Sequence, residues 1–295
     1  MPTKTGDFFR LHFIILLSSI IPIIAIFISL PAIEIVFYRT LIAFVVLGIY
    51  IYIKNFRLAL DPENLSKIIL SGVLTATYWI LLMVSAKISN ASVCLIGIST
   101  TSVWISFITP LFEKKKISIL QIIIGIVAVI GIFIISQSNL KHPVGLFVGV
   151  IAGFFGALVT IFNAKLSRGY HHYVITFYQM IGAWVGTLLF IPIYLLYFSE
   201  GNLQMFPNFQ DILLIIALVI VFSIFIYSQF IKIMKTVSPF MVTLSANLSP
   251  IYGIIVALIF LGDSEKMNFL FYLGSSIIII SVIIYPLLQK HFNTQ

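Results

Sequence analysis

Charge is what this chain has least of. Of its 295 residues only 9% are Asp, Glu, Lys or Arg, while 61% are hydrophobic. A soluble domain carries about 25% charged residues. A water-facing surface cannot be assembled from so few, so a soluble enzyme or binding module is excluded as the main body. If each bilayer-crossing helix takes roughly 20 apolar residues, ten occupy about 200 positions and leave about 95 for connections and tails. No room remains for a further catalytic or nucleic-acid-binding domain.

Cysteine is nearly missing. Cys94 is alone, inside an apolar run, which rules out an intrachain disulfide and leaves the redox compartment unreadable. Acidic residues are scarce too, nine against seventeen Lys and Arg, for a formal charge of +8. This excess does not outline a nucleic-acid surface, and no nucleic-acid partner is expected: the basic residues punctuate the ends of apolar runs, as the positive-inside bias requires. All four aspartates (Asp7, Asp61, Asp211, Asp263) and all five histidines (His12, His142, His171, His172, His291) fall in tails, loops or span ends. No paired carboxylates, zinc-ligand spacing or buried Ser–His couple stands within a span. The chain is therefore not expected to be an enzyme, and no cofactor or metal is implied. A Walker motif is absent, as is a filter loop or ring of like polar groups for a channel.

What is present is a succession of apolar runs. Spans are predicted at 11–29, 33–53, 66–87, 91–111, 117–136, 144–165, 172–197, 212–234, 240–261 and 269–288, with breaks at polar or turn-forming clusters such as Asp61-Pro62-Glu63-Asn64 and Lys114-Lys115-Lys116. Lys4 and Arg10 before the first run resemble a signal-peptide start. The run lacks a small-x-small cleavage site before Glu34, so it reads as a retained first helix. The expected fold is all-α: a polytopic membrane protein with ten transmembrane helices, surrounded by membrane lipid. With the N-terminus inside, thirteen of the seventeen Lys and Arg lie on the inner side. Lys87, Lys141 and Lys266 lie outside, and Arg39 lies within a span. Both termini are expected in the cytoplasm, with the plasma membrane (the inner membrane of a bacterium) as location.

The chain also repeats itself. Ile35-Val36-Phe37-Tyr38-Arg39-Thr40 in the second span aligns with Ile175-Thr176-Phe177-Tyr178-Gln179-Met180 in the seventh, at an offset of 140. At an offset of 148, Lys87 falls on Lys235 and Trp79 on Tyr227; at 150, Glu113 falls on Asp263. Loop insertions account for the drift. The expected units are residues 1–140 and 141–295. Five spans per copy is an odd number, so the second copy enters the membrane from the opposite side, the inverted arrangement many secondary transporters use.

These stretches carry a resemblance. Pro31 to Arg39 resembles the second-helix signature of the drug/metabolite transporter superfamily, EamA-type. Ser85 to Ala91 resembles its third-to-fourth helix turn, and Phe112-Glu113-Lys114-Lys115-Lys116 its leucine-glycine-glutamate-basic element. Ser238-Pro239, Asn247-Leu248-Ser249-Pro250 and Asp263 resemble the corresponding stretch of the second copy. The likeness covers about residues 11–288. Thr100 stands where a fourth-helix proline is expected by analogy with Pro250, and Phe112 where a glycine is expected. The resemblance implies a ten-helix carrier of small metabolites, often an exporter. It places the first, third, fourth, sixth, eighth and ninth helices around the substrate, with the second and seventh as gates.

Arg39 is the sharpest candidate for a substrate contact. An arginine within a span is costly and faces a cavity or a partner rather than lipid, and its fork suits a carboxylate or phosphate. A structural arginine bonded to helix carbonyls is the alternative. Its repeat partner Gln179 is polar but neutral. Tyr78, Trp79, Trp104, Asn163, Tyr178 and Asn247 complete the candidate substrate-binding set, as placed polar groups among apolar walls. Interfacial belts and same-helix bonding are the alternatives for such residues. Glu34 reads as an outer-interface group. Gly145, Gly149 and Gly153, with Gly182 and Gly186, mark close helix packing. The expected function is secondary transport of a small organic, amino-acid-like metabolite by alternating access, as exporter or exchanger and as monomer or homodimer. The rivals are a channel-like protein and a structural or receptor protein.

Overall fold

The computed structural model describes residues 5–21, 24, 27–89, 91–114, 116–135, 142–197, 203, 206–249, 251–252 and 269–293. In chain order its elements are α1 (Thr5–Ser18), α2 (Ala32–Ile53), α3 (Pro62–Ile88), α4 (Ala91–Ser99), α5 (Thr101–Glu113), α6 (Ile119–Ile135), α7 (Pro143–Ser167), α8 (His172–Tyr197), α9 (Phe209–Ala217), a π-helical segment (Leu218–Ile226), α10 (Tyr227–Ile233), α11 (Pro239–Ala246) and α12 (Phe269–Asn293). Val93–Glu113 joins α4 to α5 in one rod, and Phe209–Ile233 carries α9 through the π segment to α10. Among the described residues there is no strand, and seven helices are long and apolar enough to cross a membrane. The apolar α6 is shorter, at 17 residues. α1 and α11 belong to the first and ninth predicted spans, parts of which lie outside the described residues, as do Pro250 and Asp263.

Helix starts follow from local chemistry. Asp61 accepts from the Asn64 backbone at 3.2 Å, with Pro62 at the first helical position of α3. Ser238 accepts from the Met241 backbone at 3.3 Å, with Pro239 opening α11. Asn208 and Asp211 form a reciprocal capping box on α9. Each satisfies amides that a helix N-terminus otherwise leaves bare.

The fourth span breaks at Thr100 without any proline. The Thr100 amide bonds Gly97 O at 3.2 Å. The hydroxyls of Ser99, Thr100, Thr101 and Ser102 each donate to the carbonyl three residues earlier, a habit that bends helices. In the second copy α11 gives way to a turn at Asn247-Leu248. An offset of 148 carries Ser99-Thr100 onto that turn, so both copies interrupt the corresponding helix at matching positions.

α3 packs along α7 and α8, the α4–α5 rod lies on α7, and α6 lies on α12. The contact pattern survives exchange of the two copies. α3 against α8 is matched by the α9–α10 rod against α2, and α3 against α7 by that rod against α1. α2–α8 and α6–α12 are their own counterparts. Glycine permits the closest contacts. A Cβ on Gly72 would lie 2.3 Å from Gln179 O, and one on Gly182 2.3 Å from Ile69 O. Gly97 and Gly149 meet backbone to backbone, where a Cβ on Gly97 would lie 2.5 Å from Gly149. The small-residue faces expected from sequence thus lie at helix crossings.

Candidate functional site

A cavity of about 200 Å³ lies between the two copies, walled by α1 to α7, the π segment, α10 and α11. Of the described residues lining it, Arg39 is the one charged side chain. Arg39 projects from α2 and is 2% exposed. Its Nε donates to Ser223 Oγ at 2.5 Å, and its guanidinium carbon lies 3.9 Å from the Trp79 ring centroid, within cation–π range. Ser223 sits in the π segment, and its hydroxyl donates to Leu218 O, five residues back, at 3.2 Å. Among the described residues no carboxylate pairs with Arg39.

Trp79 meets Tyr227 edge to face, with ring centroids 5.5 Å apart. These two are counterparts in the repeat, at the offset of 148. A polar chain runs on from Tyr227. Its hydroxyl pairs with Thr75 Oγ1 at 3.0 Å and accepts from Asn163 Nδ2 at 3.3 Å. Gln179 Nε2 donates to Asn163 Oδ1 at 2.6 Å and to Ser71 Oγ at 2.7 Å. Gln179 and Arg39 therefore play matching parts, each reaching a serine on the facing rod of the other copy, one neutral and one charged. Asn247 Nδ2 donates to Ser102 Oγ at 3.3 Å, tying the two helix breaks together.

Five of the residues singled out from sequence (Arg39, Tyr78, Trp79, Asn163 and Asn247) line this cavity. Gln179 is buried directly behind Asn163. Trp104 and Tyr178 are not brought there. Trp104 packs edge-on against Phe154, at 5.4 Å, and with Thr100 and Phe107 lines a separate apolar groove. It is one helical turn from Thr100 and shares that face. Tyr178 is adjacent to Gln179 and so points about 100° away around α8; its hydroxyl donates to Leu58 O at 3.1 Å, beyond the end of α2. Glu34, expected at an interface, is buried, at 1% exposure. Sequence reasoning overlooked Ser71, Thr75 and Ser223. One signal was available: the 148 offset that pairs Trp79 with Tyr227 also pairs Thr75 with Ser223.

A second, wider cavity of about 930 Å³ opens among the ends of α5, α6 and α12 and the connection that follows α10. Lys116, Arg168, Lys235 and Glu113 line it, and Met234 lines both cavities. On this basic face Tyr170 donates to Asp61, which Asn64 Nδ2 also reaches at 2.8 Å. The Tyr170 hydroxyl, with Asn64, holds the Asp61 carboxyl down to about 2. On the opposite face Asp211 plays the equivalent part. It accepts from Ser29 N at 2.8 Å and Ser29 Oγ at 2.6 Å, and Lys87 Nζ donates to Ile28 O at 2.7 Å. Each face is thus latched by an aspartate at a helix start, gripping the segment that precedes α8 or α2.

The model of the EamA-like transporter family matches this chain twice, over residues 5–137 and 143–285. Twenty-nine chains of known structure are similar. One crystal structure covers 98% of this chain and 99% of its own, at 12% sequence identity and a TM-score of 0.72; that likeness is one of fold. Among curated proteins none matches.

Proposed function

Because the chain belongs to the EamA-like transporter family, an integral membrane family, we propose that it is a secondary transporter moving a small organic, amino-acid-like metabolite by alternating access, as an exporter or exchanger. The observation carrying this reading is the cavity at the junction of the two copies, with Arg39 the one charge among its described lining residues and an interrupted helix from each copy at its wall. Interrupted helices at mid-membrane free backbone groups only where a cavity or neighbour satisfies them.

The full reading has ten spans in two inverted halves, with the basic face in the cytoplasm of the cell and the chain in its plasma membrane. An inverted pair has two near-equivalent packings, one open to each side. The exchange-symmetric helix contacts and the matched latches, Asp61–Tyr170 on one face and Asp211–Ser29 on the other, support two such packings. Arg39, Tyr78, Trp79, Asn163 and Asn247 contact substrate, and Gln179 positions Asn163. The test is flux: purified protein in liposomes, loaded with pooled small metabolites, should exchange at least one of them in a protein-dependent way that Arg39→Gln lowers about tenfold or more. Equal leakage with and without protein for every solute would overturn the reading.

A further inference from the structure

Two features of the molecule share a sign of charge and are joined by one residue. In the central cavity Arg39 has spent its Nε on Ser223, stacks on Trp79, and meets no acid among the described residues. A buried guanidinium is costly unless its remaining donors are met. A carboxylate presented end-on to the fork satisfies two donors at once. In the wider cavity the described lining residues include three cations, Lys116, Arg168 and Lys235, against one acid, Glu113. A cleft of one dominant sign between apolar walls concentrates ligands of the other sign. Met234 borders both spaces, and its unbranched thioether side chain changes rotamer easily.

Resting on the transport reading above, we propose that the substrate is a small organic carboxylate with an apolar body, gathered as an anion in the basic antechamber, admitted past Met234, and held by its carboxylate on Arg39. Among the described residues that line the inner cavity none is acidic, so none of them rewards a net cation. The apolar body lies against Trp79, Leu82 and Phe222, and Asn163 and Tyr78 supply the polar contacts. The antechamber acts on arrival rather than on affinity, because its cations are exposed and screened by salt.

The experiment uses the purified full-length protein and probes matched in size: isovalerate, isovaleramide and isopentylamine, the acid, the neutral amide and the cation. Thermal stabilisation should be produced by isovalerate, with the amide and amine weaker by about tenfold or more, as loss of a charge-assisted pair implies. Arg39→Gln should erase the preference for the acid. The triple variant Lys116→Gln, Arg168→Gln, Lys235→Gln should bind isovalerate as the wild type does, yet take it up more slowly from the basic face, with a flatter dependence on ionic strength. The probe series on wild-type protein stands even where a variant fails to fold. Equal stabilisation by all three probes, or a preference for the amine, would overturn the proposal while leaving transport intact. Loss of acid binding in the triple variant would overturn the assignment of the antechamber to arrival. Absence of protein-dependent flux for any solute would bring down the transport reading itself.

Discussion

Arg39 occupies a place where a hydrocarbon side chain would be cheaper, and its two visible partners, a serine hydroxyl and an indole face, are both uncharged. Structural need alone does not account for that. Replacing a buried ion with a neutral group of similar shape is often harmless to stability, so Arg39→Gln should leave the thermal midpoint near wild type while flux falls about tenfold or more. Asn247→Ala should do likewise, since it cuts the link to Ser102 that joins the two helix breaks; unchanged flux in both would remove them from the site. Asp61 gives a prediction in pH. Its carboxyl is held down to about 2, so the stabilisation it supplies is complete above the unfolded value of about 3.9 and is lost only as pH falls towards 2. Melting curves of wild type and Asp61→Asn should therefore run parallel between pH 5 and pH 8, and converge only in strong acid. Single-residue placement was partly legible in the sequence. The charge within a span pointed to Arg39, and depth along a span to Asn247, Trp104 and Tyr178, but depth does not fix azimuth, and Trp104 and Tyr178 face elsewhere.

Helices here meet at glycines, and the contacts are too close for any Cβ. α6 and α12 cross where a Cβ on Gly274 would stand 2.4 Å from Gly131 O. Gly72→Ala and Gly182→Ala each push a methyl onto a backbone carbonyl, which cannot give way as a side chain tip can. Each should cost about 1–3 kcal/mol, read as a lowered midpoint in thermal unfolding in detergent. Gly6→Ala, with open space around it, should change nothing. The seven helices long and apolar enough to cross a membrane could be read from hydropathy alone, and the glycine spacing announced the crossings. The break at Thr100 could not be read that way, because a proline is the usual marker and here four consecutive hydroxyl side chains bond back to the helix instead. The π turn that places Ser223 opposite Arg39 left no mark in an apolar run of ordinary composition.

At the scale of the whole molecule, the two copies share one cavity and latch opposite faces with equivalent aspartates. Sequence repetition made that duplication visible, through Tyr38 and Tyr178 or Trp79 and Tyr227, but the latches, in which the hydroxyls of Ser29 and Tyr170 each donate to an aspartate, lie in connecting segments whose partners hydropathy does not mark. Inverted insertion predicts that Arg57→Cys and Gln210→Cys, on a Cys94→Ala background, react with a membrane-impermeant maleimide from opposite sides of the membrane. Rocking predicts more. With spin labels at Arg57 and Gly169 across the basic face, and at Phe27 and Gln210 across the other, pulsed electron spin resonance in liposomes should give two populations at each pair, one distance lengthening as the other shortens. A single fixed distance at both pairs, or both faces opening together, would contradict a carrier that alternates its access.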